Sequence, residues 1–579
     1  MLGAARRKGS AVSRREALIS ATFVFAVALA VRVVVAAAVS FPIPEDTAYY
    51  AGVARNIVEG RGPISDALWS YGTQPLVVPR AAFEVWMPLP SLLAVLPMAL
   101  LGAANWFRAA QVVSVLASSI VAVLAWRLGA DVATEMRLPA GRARTIGVGS
   151  GLVAAILGPL VVYGALPDST APFAAISLAA CLLMTRIAAG ESAGGSSDLP
   201  GGLLPNRRRL ESRRLESRRL ESRLVVLGLL IGFAALTRSE AIWLALAWAA
   251  VAWLWTSGSR RRRMELIATP AVVAILVFAP WAIRDWLAFG TPLPGQTISN
   301  ALFLQGSDVF AYRDQPSLAA YLAAGPAALA GAHLAGIAHD FFAVLLIPAF
   351  PVGPLGLLAL PWAGRRHALR PLAMAAAFTF LVTTLFFPVA TQSGTYLHAA
   401  GPAFVLLTVC CMVALDAFIA RVGRLRGWTR PVSWLGPAFA LAAIAPLCVV
   451  SVLTVARGAD EVRERYNALP AAMARAGVPL DGASPVITDN PIWLAESARV
   501  TAIALPEESP DSVLDLAGRF GARLLIVRSD TDGAWPAILG SGVAAARCFR
   551  EVPLTDGSGA APAGGSPLAS IRVFRIVCP

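Results

Sequence analysis

RREALISATFVFAVALAVRVVVAAAVS, residues 14–40, decides the class of the fold. Two arginines stand at its head, and residues 17–40 behind them are apolar. Such a run exceeds the roughly 18 residues that a helix needs to cross hydrocarbon. It carries no clearly marked small-residue cleavage site, so it reads as a first membrane span rather than a removed signal peptide. Arg6, Arg7, Lys8, Arg14 and Arg15 precede it, and the positive-inside rule then predicts a cytoplasmic N-terminus.

The rest of the chain repeats this pattern. Its 579 residues are 57% hydrophobic and 15% charged, with a mean hydropathy of +0.66. Soluble domains carry charge on about a quarter of their residues. Lipid offers the backbone no hydrogen-bond partners, so spanning segments must satisfy themselves as helices; the alternating pattern of an outer-membrane barrel is missing. The expectation is an all-α polytopic membrane bundle of roughly ten to thirteen transmembrane helices over residues 1–456, followed by a small α/β soluble domain over 457–579. The net charge of +14 is scattered over short arginine-rich loops, and Lys8 is the only lysine. That distribution follows membrane topology, so no nucleic-acid partner is expected.

Residues 41–85 hold Glu45, Asp46, Arg55, Glu59, Asp66, Arg80 and Glu84 and read as a first extracytoplasmic loop. Two apolar stretches, 86–103 and 107–126, precede Arg127, Arg137, Arg142 and Arg144. Two full crossings would leave those arginines outside, so one stretch is expected to be re-entrant or interfacial. The later loops then alternate. Asp168, Thr237–Glu240, 284–338 and Thr391–His398 fall outside, while 189–223, Arg260–Arg263, Arg365–Arg370 and Arg421–Arg430 fall inside. Residues 189–223 are Gly/Ser-rich and then repeat Arg-Arg-Leu-Glu-Ser from 208 to 223, a low-complexity cytoplasmic loop suited to anionic lipid. The expected location is the plasma membrane, multi-pass, with the C-terminal domain extracytoplasmic.

In that domain Val486–Thr488, Thr501–Leu505, Leu524–Val527 and Ile571–Val577 read as strands and 510–520 as a helix, which predicts parallel pairing. Cys548 and Cys578 lie in the polar tail and could pair as a disulfide if the tail is extracytoplasmic. Cys181, Cys410, Cys411 and Cys448 fall in apolar runs and read as small core residues.

Asp46, Asp168 and Glu240 recur at the outer ends of spans, where ionisable groups are costly and tend to be functional. For any one of them alone, ordinary loop solvation is the plainer explanation. Their contexts change the weighting. Pro44-Glu45-Asp46-Thr47-Ala48-Tyr49-Tyr50 is followed by Ala54-Arg55 and Gly60, and Glu84 by Met87-Pro88-Leu89-Pro90. Tyr163-Gly164-Ala165-Leu166-Pro167-Asp168, Leu236-Thr237-Arg238-Ser239-Glu240 and Pro280-Trp281-Ala282-Ile283-Arg284-Asp285 with Phe289-Gly290 come next in order. The series resembles the glycosyltransferase C superfamily, which includes protein O-mannosyltransferases and the aminoarabinose transferases of lipid A. Thr47 stands where many members have a second acid, and Asp285 where Asn is usual.

The resemblance implies a sugar donor linked to polyprenyl phosphate and a lipid, glycan or protein acceptor, met at the extracytoplasmic face among membrane lipids. Asp46 is the candidate base, a role that contributes about 10²–10⁴ in rate. Arg238 and Arg284 are candidates for the donor phosphate, which arginine grips bidentately. Arg55, Glu84, Asp168, Glu240 and His398, the last within Gly394-Thr395-Tyr396-Leu397-His398, complete the substrate-binding set. A divalent metal is left open, with Asp46 and Asp168 as hard oxygen ligands. The alternatives are a transporter or flippase of lipid-linked saccharides and a non-enzymatic envelope assembly protein. Long polar loops on one side only, without a visible inverted repeat, favour one-sided catalysis.

Overall fold

The computed structural model describes residues 13–194, 206–294, 299–429, 432–480, 485–531, 533–555, 562 and 565–578. Arg6, Arg7 and Lys8 lie outside the described residues. The first span is α1 (Arg14–Ala38), opened by a capping box in which Ser13 Oγ accepts from the Glu16 N–H and Glu16 accepts the Ser13 N–H in return. It is followed by α2 (Glu45–Val58), in which every residue from Thr47 to Asn56 is buried. A helix covered on all sides is wedged between other bodies rather than lying on a surface.

The two apolar stretches within residues 86–126 differ in length. Helix α3 (Leu89–Leu101) has 13 residues, about 20 Å at 1.5 Å per residue, which falls short of the hydrocarbon thickness. Helix α4 (Trp106–Glu135) has 30 and is long and apolar enough to cross. The bundle continues with α5 (Ala140–Ile156), α6 (Gly158–Val162), α7 (Thr170–Gly194), α8 (Asn206–Ala235), α9 (Ala241–Trp255) and α10 (Arg260–Phe289). Then come α11 (Leu318–Ala323), α12 (Pro326–Ala338), a π-helical segment His339–Leu346, α13 (Val352–Ala363), α14 (Arg370–Phe386), α15 (Thr395–Ala399), α16 (Gly401–Leu425) and α17 (Leu435–Arg475). Among the described residues seven helices are long and apolar enough to cross a membrane, and four shorter apolar helices accompany them. The span expected at 224–236 is the end of α8, a helix that takes in the repeat of 208–223.

Small residues set the helix contacts, as they do where lipid supplies no hydrophobic drive between helices. Gly228 and Gly232, one turn apart on α8, lie so close to Val273 and Val277 of α10 that a Cβ would collide. Polar groups inside the bundle are answered. The fully buried Arg32 of α1 donates to the carbonyls of Ala154 and Ala155 at the end of α5 and to Ser118 Oγ at 2.9 Å. Ala155 needs this donor, because Pro159, four residues on, has no N–H to offer.

Helix α17 runs unbroken through the boundary expected at 456/457 and ends at Arg475. It delivers the chain to a six-stranded sheet ordered β2 (Ala67–Leu68), β5 (Ala502–Ala504), β4 (Val486–Thr488), β6 (Leu524–Arg528), β8 (Ile571–Ile576) and β7 (Phe549–Val552). The strands β4 (Val486–Thr488), β5 (Ala502–Ala504), β6 (Leu524–Arg528) and β8 (Ile571–Ile576) fall where the sequence places them. Pairing is parallel for β4 with β5 and with β6, as expected, but antiparallel for β8 with β6 and with β7 (Phe549–Val552). The two-residue β2 (Ala67–Leu68) comes from the first loop and pairs in parallel with β5. Strands β1 (Ile64–Ser65) and β3 (Arg80–Ala81) make a separate two-stranded ribbon beside it. Helices α18 (Pro491–Ala498), α19 (Pro510–Phe520) and α20 (Trp535–Gly540) cover the sheet. Cys548 and Cys578 are disulfide-bonded, and the other four cysteines are free and buried.

Candidate active site

Three chain segments bring one titratable group each to a common point. Asp46 sits in the first turn of α2, which starts behind Pro44. Asp168 occupies the turn between α6 and α7, and its Oδ1 accepts the N–H of Thr170 at the start of α7, as a short polar side chain does at a helix N-terminus. His398 lies on the one-turn α15, reached through Gly394 at φ 105°, a left-handed conformation suited to glycine.

His398 Nδ1 is 3.0 Å from Asp168 Oδ2, and Nε2 is 3.4 Å from Asp46 Oδ2. Thr170 Oγ1 lies 2.9 Å from the same Nδ1, and the ring of Tyr163 meets the imidazole edge-on at 5.1 Å. One ligand-type atom from each of Asp46, Asp168 and His398 falls within 4.8 Å of the others. Two carboxylate oxygens and an imidazole nitrogen in that spacing are a donor set that a divalent cation accepts.

Burial acts differently on the three. It pushes the Asp46 carboxyl above its usual range, and Asp168 reinforces the shift while His398 opposes it. Burial would raise Asp168 too, but His398 and the Thr170 hydrogen bonds outweigh it and hold that carboxyl low. Burial works against a charged His398, yet the two carboxylates win and raise its pKa. The site therefore holds one strongly ionised acid and one acid with enhanced basicity.

Arg238 and Glu240 flank this group. Arg238 grips Glu240 with Nη2–Oε1 at 2.6 Å and Nε–Oε2 at 3.2 Å. It also donates to Ser169 Oγ at 2.9 Å and to the Thr395 carbonyl at 3.2 Å. The pair thus ties the segment bearing Asp168 to the segment bearing His398.

Arg55, Glu84 and Arg284 are held elsewhere. Arg55 is nine residues beyond Asp46, about 180° around a helix at 100° per residue, and there it pairs with the buried Glu496. Glu84 pairs with Arg80 at 2.9 Å. Arg284 bonds Asp285 at 2.8 Å and the Ala82 carbonyl at 2.7 Å, and lies over the Trp281 ring. These three have their partners in the first loop, in α10 and in the C-terminal domain rather than among Asp46, Asp168 and His398.

The second carboxylate, missing after Asp46 where Thr47 stands, is supplied by Asp168 from a distant turn, the pairing that the sequence offered for a metal. One feature was not read from the sequence. Asp340, fully buried in the π-helical segment, accepts from Thr391 Oγ1 just ahead of α15. An acid inside the apolar run 326–346 was the available signal.

No family model matches the chain, and no curated protein matches it. Solved structures do. The archaeal oligosaccharyltransferase AglB from Archaeoglobus fulgidus, in complex with an inhibitory peptide and a dolichol-phosphate, aligns with TM-score 0.53 at 14% identity over 94% of this chain and 73% of that one. The same oligosaccharyltransferase in complex with Zn and sulfate gives TM-score 0.53 at 15% identity over 94% and 72%. ArnT from Cupriavidus metallidurans bound to undecaprenyl phosphate gives TM-score 0.52 at 14% identity over 96% and 98%. The membrane bundle and its appended α/β domain together share the fold of these solved structures.

Proposed function

We propose that the protein is an integral membrane glycosyltransferase that moves a sugar from a polyprenyl-phosphate donor to a lipid, glycan or protein acceptor at the extracytoplasmic face of the plasma membrane. The convergence of Asp46, Asp168 and His398 carries this reading. Structures of the same fold hold dolichol-phosphate and undecaprenyl phosphate, the lipid class that such a donor requires. The Cys548–Cys578 disulfide suits an oxidising compartment, and with the arginine-rich loops that the positive-inside rule assigns to the opposite side it supports the orientation.

In the reaction an acceptor hydroxyl forms a bond to the anomeric carbon, the bond from that carbon to phosphate breaks, and the lipid phosphate leaves as an anion. Asp46 takes the hydroxyl proton, a role favoured by the raised basicity that burial gives it. Asp168 stays ionised and fixes His398, which in turn orients Asp46. Arg238 is largely neutralised by Glu240, so its work is to join the two segments more than to bind phosphate. Asp46, Asp168 and His398 fit a divalent cation, which when bound would supply positive charge to the leaving phosphate.

Mass spectrometry of surface glycans and lipids in a deletion strain tests the proposal. One sugar should disappear, return with the wild-type chain, and stay absent with Asp46→Asn. Full restoration by Asp46→Asn removes Asp46 from the chemistry. Purified protein that carries lipid-linked sugar between leaflets without transferring it would make the chain a transporter.

A further inference from the structure

The C-terminal domain touches the helix that carries Asp46 through groups with no part in the chemistry above. Glu45 Oε1 accepts the N–H groups of Ile492 and Trp493, at 3.1 and 3.3 Å, at the start of α18. A carboxylate is favoured there by the unpaired N–H groups and the helix dipole. Trp493 Nε1 donates to the Pro42 carbonyl at 3.0 Å, just ahead of α2. Three turns along, Arg55 pairs with Glu496 in a setting where both side chains are more than nine-tenths buried. The same guanidinium lies over the Trp106 ring of α4, 4.6 Å from its centroid. Between these anchors Gly52 faces Glu496 so closely that a Cβ would overlap the carboxylate. At the far end Arg499 pairs with Glu59.

We infer that the C-terminal domain is a positioning element for Asp46, with Arg55 and Glu496 as its positioning residues, so that α18 sets where Asp46 stands against Asp168 and His398. The inference rests on the glycosyltransferase reading for its consequence but not for its geometry. Helix α2 is 14 residues long, and such a helix is marginal unless packing holds it. Its two faces are held by different bodies. Arg55 contacts the membrane bundle and the C-terminal domain at once, so it relays the placement of one to the other. A buried ion pair of this kind adds little net stability, but it does fix a unique arrangement, since either charge left alone is costly.

The test uses the full chain in lipid nanodiscs and in the deletion strain. Gly52→Ala drives the Glu496 carboxylate off Arg55 with minimal change elsewhere, Arg55→Met removes the cation, and Arg55→Lys keeps it. In Gly52→Ala and Arg55→Met, amide exchange across 45–58 should quicken at least about tenfold while that of α4 and α5 is unchanged. The sugar product should fall at least about tenfold at equal membrane abundance, and Arg55→Lys should recover most of both. Unchanged exchange across 45–58 overturns the inference. So does quickened exchange with full product, since placement would then not matter. If Asp46→Asn itself leaves the product intact, the enzyme reading fails, and the exchange measurement alone decides whether α18 holds α2.

Discussion

His398 and Asp168 meet through Nδ1 and Oδ2 at 3.0 Å, so the imidazole is oriented by one carboxylate while its other nitrogen faces Asp46. This makes the three groups one unit. Asp168→Asn and His398→Gln should each lower sugar transfer about 10²-fold, close to the effect of Asp46→Asn, and the double variant should be little worse than either single one. Calorimetry with Mn²⁺ on the purified chain should show binding to the wild type that weakens at least about tenfold in either variant. Equal Mn²⁺ affinity in all three would remove the metal from this site.

Arg32 is expected to be needed for the bundle and not for chemistry. Replacing it with Met strands the carbonyls of Ala154 and Ala155, and each buried carbonyl without a donor costs about 1–3 kcal/mol. Thermal unfolding in detergent should show a midpoint several degrees lower. Protein that survives should keep its Mn²⁺ affinity; loss of that affinity at unchanged stability would contradict the assignment.

Glu496 gives the docked domain a pH dependence. Burial raises its pKa from 4.5 to about 7, with Asp66 adding to the shift and Arg55, Arg499 and Arg61 opposing it. The folded pKa lies above the unfolded one, so the folded state holds a proton that the unfolded state has released. Stability therefore falls as pH rises from about 4.5 to about 7 and levels off above that, by up to about 3 kcal/mol. Glu496→Gln should flatten this slope. A wild-type midpoint that climbs across the same window would show the shift to be of opposite sign.

The disulfide between Cys548 and Cys578 closes 30 residues of the tail. A crosslink over that span contributes about 3–4 kcal/mol by restricting the unfolded chain. Replacing both cysteines with serine should lower the melting point of the sheet while leaving the membrane bundle folded. Alkylation of unfolded, unreduced protein should label four thiols and, after reduction, six, since four of the six cysteines are free.

Much of the architecture was legible because each signal was local. Apolar length marked the spans, and four strands were read from runs such as Leu524–Val527 because β-rich segments stood between polar turns. The extent of α17 was not, since residues 457–475 are polar yet good helix formers, and a hydropathy boundary is not a helix boundary. Within the site, Asp46, Asp168 and Glu240 could be singled out from position at a span end, and Arg238 and His398 from the motifs that the resemblance brings out. Their partition could not. Arg55 and Glu84 carry the same kinds of charge in the same loop, and only the rotation along α2 and the arrival of Glu496 from the far end of the chain send Arg55 away from Asp46.

Strand β2 has a consequence for biosynthesis. Tyr71, just beyond it, donates its hydroxyl to the Ala504 carbonyl, 433 residues later. At roughly 5–20 residues per second the ribosome needs about 20–90 s to cover that interval. For that time the first loop waits with one edge of β2 unmatched, while the helices from α4 to α17 are still being made. Assembly of this protein must end with its beginning: the earliest loop to emerge is among the last to be completed, and a nascent chain stalled before residue 491 would leave α2 without the helix that packs against it.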